Sequence, residues 1–333
     1  MNSNSRLEYL DYVRVIAMLM IVALHCLCYY TGKWGYPNNP RIELYDGITD
    51  ILHGIALPLF TCLSGFLYAV LREVGKYTDY RLYIIGKVKR LLMPLVVWSL
   101  FCMLIIPGAE FRFTALFGYH HLWFLGMLFW LFSIAPILEN IAHRNIIKIL
   151  IYGFIIVVIS FLFSKNPLAK LPIEIDNAGK YMCAFFAGMA LGVHRERLAG
   201  TRNKVLYRVG TVTFIAFSAE SMIWRHIDSY LIVMVCQFSR YLLSTLICMV
   251  ILMLFMKSGL KMTKWIRYLS TLSMGIYVIH HIVIELLLQV DVVDKLMRDH
   301  VVLSPIMMMV VVLLVSTLLA DTIKRNRLLS NLI

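Results

Sequence analysis

The chain has 333 residues, of which 60% are hydrophobic and 15% are charged, and its mean hydropathy is +0.78. Soluble domains contain about 45–50% apolar and about 25% charged residues, so the composition excludes an ordinary soluble protein. The net charge of +13 would suit nucleic acid, but the basic residues lie mainly in short loops between apolar runs. This placement favours the lipid bilayer as a partner and argues against nucleic acid.

Ten apolar runs have the length of transmembrane helices, which need about 17–25 residues. We predict spans at residues 10–30, 47–70, 90–107, 121–140, 146–163, 179–194, 206–224, 230–256, 269–290 and 302–320. The expected fold is an all-α, polytopic membrane helix bundle. Residues 1–333 are expected to form one integral-membrane domain.

Lys and Arg concentrate in alternate loops of this arrangement, as the positive-inside rule requires. With the first residues in the cytoplasm, 21 of the 32 basic residues lie on the cytoplasmic side and nine lie outside, and Arg14 and Arg240 lie within spans. The bias predicts that both termini are cytoplasmic, because an odd number of spans would disrupt the alternation.

The first span carries three ionisable side chains, Asp11, Arg14 and His25. Eleven steps of about 100° return a helix to within about 20° of its starting direction, so Arg14 and His25 share one face about 16 Å apart. Asp11 lies three residues before Arg14 and can pair with it. Ionisable groups inside a membrane usually indicate function. The alternative is an arginine anchored at the headgroups and a histidine that hydrogen-bonds between helices.

Two polar features lie at the cytoplasmic ends of spans two and three. Ser64 and Gly65 in FTCLSGFLYA form a small-residue pair, which suits close helix packing as well as a site. Lys87 and Arg90 in KVKRLLMP lie three residues apart on one face. Such a pair is ordinarily a positive-inside anchor, but it is also suited to holding phosphate groups.

Spans four, eight and nine add polar and aromatic residues to the outer half of the bundle. His121 and Trp123 open span four and are either interfacial belt residues or part of a cavity. Arg240 in span eight either extends its guanidinium to water at the end of the aliphatic side chain or lines a polar cavity. Tyr277 and His280 belong to a polar stripe on span nine, and such a stripe usually faces the bundle interior.

No metal site is expected from the spacing of the candidate ligands. The seven cysteines all lie in apolar runs without metal-ligand spacing, which is typical of packing residues. The histidines that could cluster are not at ligand spacing within any one helix.

Five segments resemble, in the same order, the sequence blocks of the acyltransferase family 3 membrane proteins. They are LDYVR with Arg14-x10-His25, FTCLSGFLYA, KVKRLLMP, HLWFLGMLF and LSTLSMGIYVIHHI. The resemblance covers the whole chain and implies about ten spans in a bacterial cytoplasmic membrane. It implies transfer of an acyl group, most often acetyl from acetyl-CoA, to sugars of surface glycans, lipid-linked saccharides or peptidoglycan.

The resemblance also implies roles for individual residues. His25 corresponds to the catalytic histidine and Arg14 to its partner near the donor, with Asp11 beside it. Lys87 and Arg90 match a basic pair that is commonly two arginines, and the lysine loses the bidentate geometry. We group Ser64 with these donor-binding residues. The candidates for the acceptor side are His121, Trp123, Arg240, Tyr277 and His280.

The chemistry of the residues agrees with an acyl-CoA donor. Coenzyme A is a polyanion made in the cytoplasm, where Arg14, Lys87 and Arg90 are predicted to lie, and its pantetheine arm can span the distance to His25. His25 then acts either as a general base toward a sugar hydroxyl or as a nucleophile. The sequence is compatible with both. Because no extracytoplasmic hydrolase-like domain of the kind found in some family members is present, transfer is expected to finish in the membrane domain or on a partner.

A transporter or flippase for a small molecule or lipid-linked sugar is the main alternative, since buried Arg, His and Glu residues also suit transport. Against it, the two halves of the sequence lack a matching pair of Gly/Pro-broken helices. A membrane scaffold is a third class, but it leaves the shared Arg–His face unexplained. The acceptor and the oligomeric state stay open.

Overall fold

The computed structural model of the chain describes residues 7–32, 39–106, 118–143, 145–163, 175–327 and 329–333. Within these ranges every regular element is a helix, which confirms the predicted all-α class. The helices are α1 (Glu8–Cys28), α2 (Glu43–Glu73), α3 (Tyr80–Lys87), α4 (Met93–Ile105), α5 (Trp123–Ile141), α6 (Ile146–Phe163), α7 (Ile175–Val193), α8 (Arg195–Leu198), α9 (Asn203–Ile223), α10 (Tyr230–Lys257), α11 (Lys264–Leu288), α12 (Asp291–Asp299) and α13 (Leu303–Arg325).

A helix lies at each of the ten segments predicted to cross a membrane. In the part of the chain that the structure describes, seven helical segments are long and apolar enough to do so. They comprise α1, α2, α3 joined to α4, α5 with the turn before it, most of α10, α11 and α13. The chain is therefore a multi-pass membrane protein. The count of ten, which also needs α6, α7 and α9 to cross, stays a prediction, as does the cytoplasmic location of both termini.

The third helical segment begins earlier than residues 90–107, the span predicted from hydropathy. It starts at Tyr80, because the Asp79 side chain caps α3 by accepting a hydrogen bond from the Leu82 amide at 3.0 Å. Polar residues in this first part hide the helix from a search for apolar runs. The predicted end at residue 107 lies outside the described residues.

A single wide turn, Val88–Leu92, joins α3 to α4 as π-helix. Pro94 follows it and has no amide hydrogen to donate to the residue four positions back. The Met93 amide donates five residues back, to the Val88 carbonyl. With the wide turn before it, the helix continues through Pro94 to Ile105.

Two glycines allow α2 and α7 to pack in direct backbone contact. A Cβ atom at Gly65 would lie 1.9 Å from the Phe185 carbonyl oxygen, and one at Gly188 would lie 1.9 Å from the Cys62 carbonyl oxygen. Small residues at helix crossings permit this approach in membrane proteins. Close helix packing, one of the two interpretations of the Ser64–Gly65 pair, therefore holds for Gly65.

Helix α1 lies inside the bundle, with α2, α10, α11 and α13 packed around it. Its buried residues occupy most of its circumference, as expected for a helix surrounded by others. Large apolar side chains on the outer helices are exposed, among them Val235, Leu314 and Leu318. Such a surface suits lipid, since apolar side chains facing hydrocarbon carry no cost of exposure.

Candidate active site

Helices α1 and α11 run in the same direction and carry five of the eleven predicted site residues. Near one end, Arg14 Nη1 donates a hydrogen bond to Ser270 Oγ at 2.9 Å. Eleven residues further along α1, His25 contacts His280 of α11. Because eleven residues rise about 16 Å along a helix, the two contacts are about that far apart. The shared Arg–His face of α1 therefore packs against α11.

Asp11 belongs to the Arg14 end of this face. Its side chain is buried, and Oδ1 lies 3.2 Å from Arg14 Nη1. Ser270 completes the triangle by donating a hydrogen bond to Asp11 and accepting one from Arg14. Asp11 precedes Arg14 by three residues and therefore lies still further from His25. The direct contacts of Asp11 hold the Arg14 guanidinium and not the histidine.

A cavity of about 450 Å³ lies at this end of the bundle. This volume is within the usual range of about 300–1,000 Å³ for ligand sites. Four basic side chains line it, and its lining among the described residues contains no Asp or Glu. The basic residues are Arg14, Lys87, Arg90 and Lys324. Ser64 also lines this basic cavity, which is suited by charge to an anionic ligand.

Lys87 reaches the cavity through an aromatic box. Its Nζ lies 3.4 Å from the ring centroid of Phe132 and 5.3 Å from those of Tyr77 and Tyr83. Such cation–π contacts stabilise an ammonium group at a fixed position. Lys87 ends α3 and Arg90 lies in the π-helical turn, so the wide turn presents both cations to one cavity. Isolated π turns are frequent at functional sites.

The contact between His25 and His280 defines the proton positions of both rings. His280 Nδ1 lies 3.1 Å from the Ile276 carbonyl oxygen, and an oxygen of this kind only accepts, so Nδ1 carries the proton. In the neutral ring, His280 Nε2 is then the acceptor, and His25 Nδ1 donates to it at 2.6 Å. The other nitrogen of His25, Nε2, is left unprotonated and has the lone pair of a base or nucleophile.

Two further histidines complete a buried cluster, which we define as His25, His121, His280 and His281. The His121 ring centroid lies 6.0 Å from that of His25 and 4.9 Å from that of His280. The His281 centroid lies 5.5 Å from that of His25. Among the described residues, no group of three or more His, Cys, Asp or Glu side chains has the arrangement of a metal site.

A small space of about 10 Å³ adjoins the cluster on the side away from the basic cavity. His25, His281 and Glu285 line it, and Glu285 Oε1 lies 3.7 Å from His281 Nε2. A space of this size holds about one water molecule or one hydroxyl group. Met297 of α12 covers it. The Tyr29 hydroxyl, at the end of α1, donates to the α12 residue Asp294 at 2.6 Å.

Tyr277 separates the basic cavity from the histidine cluster. It lines the cavity, and its hydroxyl donates to the main-chain carbonyl of His121. Its ring centroid lies 5.3 Å from that of His121 and 6.0 Å from those of His280 and Phe124. A ligand arm that extends from the cavity toward His25 therefore has to pass this tyrosine.

Trp123 and Arg240, predicted on the acceptor side, make their contacts elsewhere. Trp123 packs on Tyr181 of α7 with 6.1 Å between ring centroids. Arg240 Nη1 lies 4.0 Å from Asp50 Oδ2 of α2, and its guanidinium lies 5.5 Å from the ring of Phe217. These contacts join Trp123 to α7, and they join Arg240 to α2 and α9.

The sequence prediction did not assign Lys324, His281 or Glu285 to the site. Lys324 lies near the end of the last span, where a cation is ordinary and gives no signal of its own. His281 and Glu285 are four residues apart on α11, a spacing at which side chains meet. That spacing is the signal that could have identified the pair.

Residues 7–325 match the model of a protein family described as an acyltransferase domain. Comparisons with curated proteins and with solved structures give no match.

Proposed function

The chain belongs to acyltransferase family 3, and from this membership and the geometry of its cavity we propose that it is a membrane O-acyltransferase. It moves acetyl from acetyl-CoA, at the cytoplasmic face of a bacterial inner membrane, to a sugar hydroxyl of an extracytoplasmic glycan or lipid-linked saccharide. The observation that carries the proposal is that the basic cavity and His25 lie in line along α1 and α11. A cavity lined by four basic side chains lies at one end, and His25, in contact with His280, lies about 16 Å further on.

The basic cavity suits the nucleotide end of acetyl-CoA, which carries several phosphate charges. Arg14 and Arg90 can hold phosphate oxygens in pairs, whereas Lys87 and Lys324 act as point charges. Asp11 positions Arg14 for this contact. The neutral pantetheine arm extends along α1, past Tyr277, and brings the thioester to His25.

His25 supplies the reactive nitrogen in either of two routes. As a general base, Nε2 takes the proton of the acceptor hydroxyl while the oxygen attacks the thioester carbon, and it then returns the proton to the departing thiolate. As a nucleophile, the same nitrogen first takes the acetyl group and then gives it to the hydroxyl. His280 holds the ring in the tautomer that both routes need.

The acceptor approaches from the side opposite the basic cavity. The small space between His25, His281 and Glu285 suits a single hydroxyl group, which would lie against the reactive histidine. Trp123 and Arg240 would contact a part of the saccharide further from His25, because their neighbours lie on helices other than α1 and α11.

The donor assignment is tested by transfer of labelled acetyl from acetyl-CoA to envelope glycan in membranes that contain the protein. Arg14→Gln and Arg90→Gln are expected to raise the KM for acetyl-CoA, because each removes a cation from the cavity. Arg81→Gln is the control, since Arg81 is exposed on α3 and does not line the cavity. Sugar analysis of the labelled fraction identifies the acceptor. Labelling that is independent of both cavity arginines would contradict the donor site, whereas no labelling above that of membranes without the protein would favour a transporter.

A further inference from the structure

His121 is a buried imidazole with two unpaired ring nitrogens. The residue is 3% exposed, and among the described residues neither Nδ1 nor Nε2 has a hydrogen-bond partner. The main chain at Val278 approaches the ring without reaching hydrogen-bond geometry. Buried polar atoms in proteins are nearly always paired, so an exception of this kind requires an explanation.

The position of His121 is fixed by its neighbours. It lies in the 3-10 turn His120–Leu122 that leads into α5, and Tyr277 donates a hydrogen bond to its main-chain carbonyl. Its ring lies between Tyr277, at the wall of the basic cavity, and His25, with centroid distances of 5.3 Å and 6.0 Å. An acyl group that passes from the cavity to His25 therefore travels beside this ring.

His25 and His280 already use their ring protons in hydrogen bonds. His280 donates from Nδ1 to the Ile276 carbonyl, and His25 donates from Nδ1 to His280. A neutral His121 also has one N–H group, and no acceptor in the described part of the chain receives it. The cluster thus contains one base with a lone pair and, beside it, one hydrogen-bond donor without an acceptor among the described residues.

We propose that His121 is a catalytic residue that donates its N–H to the acyl carbonyl oxygen as this oxygen becomes negatively charged. The inference rests on the proposed function. The acceptor hydroxyl gives its proton to His25 Nε2, its oxygen bonds to the carbonyl carbon, and the π electron pair moves onto the carbonyl oxygen. The N–H of His121 stabilises this oxyanion.

Collapse of the intermediate restores the starting state of both histidines. The carbonyl double bond reforms, the carbon–sulfur bond breaks, and the thiolate takes the proton from His25. The products are the acetyl ester and coenzyme A. If His25 acts as a nucleophile, attack of its Nε2 creates an oxyanion on the same carbonyl oxygen, so the role of His121 is the same.

The test compares His121→Leu, His121→Asn and His121→Gln in the full-length protein in membranes. Leu removes the donor, whereas Asn and Gln place an amide N–H near the positions of Nδ1 and Nε2. Loss of one oxyanion donor typically lowers kcat by about 10²–10³-fold. We expect this loss for Leu and a loss of no more than about tenfold for one of the two amides. His300→Leu, at the exposed end of α12, is the control.

Donor binding separates catalysis from structure. The probe is the unreactive methyl ketone analogue of acetyl-CoA, which has a methylene between sulfur and carbonyl and cannot transfer acetyl. All three variants are expected to bind it within about threefold of wild type, because the hydrogen bond forms mainly with the charged oxygen.

The inference is overturned by wild-type kcat in His121→Leu or by an equal loss of activity in all three variants. It is also overturned if binding of the ketone analogue weakens in proportion to the loss of activity. Failure of all three variants to accumulate in the membrane also overturns it, since it shows a structural role. If wild-type membranes transfer no acetyl from acetyl-CoA, the proposed function itself fails and takes this inference with it.

Discussion

The charge of Lys87 provides the sharpest test of the basic cavity. Lys87→Met removes the ammonium group but keeps a flexible apolar side chain against the rings of Phe132, Tyr77 and Tyr83. Two unit charges about 4 Å apart interact by about 4 kcal/mol at an effective dielectric constant of about 20. This energy is the upper limit for the contribution of the Lys87 charge to binding. A hydrogen bond to a charged group contributes about 1.5–3 kcal/mol in proteins. We therefore expect the Kd for coenzyme A to rise about 10–150-fold.

The assay is equilibrium binding of coenzyme A to purified protein in detergent at low and high salt. Lys89→Met is the matched control, because Lys89 is exposed two residues away and does not line the cavity. We expect it to change the Kd by less than about twofold, as is usual for a solvated charge. The difference between the two variants should shrink as salt screens the cavity. Equal effects of the two substitutions, or no effect of either, would contradict a role of the Lys87 charge in binding coenzyme A.

Two further predictions concern packing and positioning. Gly188→Ala introduces a methyl group 1.9 Å from the Cys62 carbonyl and should lower stability by about 1–3 kcal/mol, seen as a lower thermal midpoint. Gly86→Ala, where a Cβ has open space, should not lower it. Asp11→Asn should raise the KM for acetyl-CoA about 2–10-fold, because Arg14 must then be ordered on binding. A large loss of kcat at saturating donor would instead assign Asp11 to the chemistry.

Much of the fold was predictable because its signals are local. Runs of apolar residues locate helices, since a membrane leaves the backbone no other way to satisfy its hydrogen bonds in a single segment. The start of the third helix was not predictable in this way. It depends on the Asp79 cap and on polar residues before the apolar run. The amphipathic helix α12 was missed because it lies between spans and is too polar for a hydropathy search.

The sequence predicted the site best where one helix contains the whole signal. Arg14 and His25 share a face because of their spacing alone, and the structure packs that face on α11. Lys87 and Arg90 do line one cavity, but through a π turn and not the α-helical spacing from which they were paired.

Contacts between helices were beyond sequence reasoning. His25, His121 and His280 come from three segments that are distant in the chain, and only tertiary packing brings their rings together. The grouping of Trp123 and Arg240 with the acceptor side relied on depth in the membrane, and it stays a prediction.

The catalytic role of His25 is tested by transfer of labelled acetyl from acetyl-CoA to envelope glycan in membranes that contain wild type or His25→Ala at matched abundance. The proposed mechanism predicts that only wild type labels the glycan, and that His300→Ala, at the exposed end of α12, labels like wild type. Equal labelling by wild type and His25→Ala would contradict it, because His25 would then serve only the packing of α1 against α11.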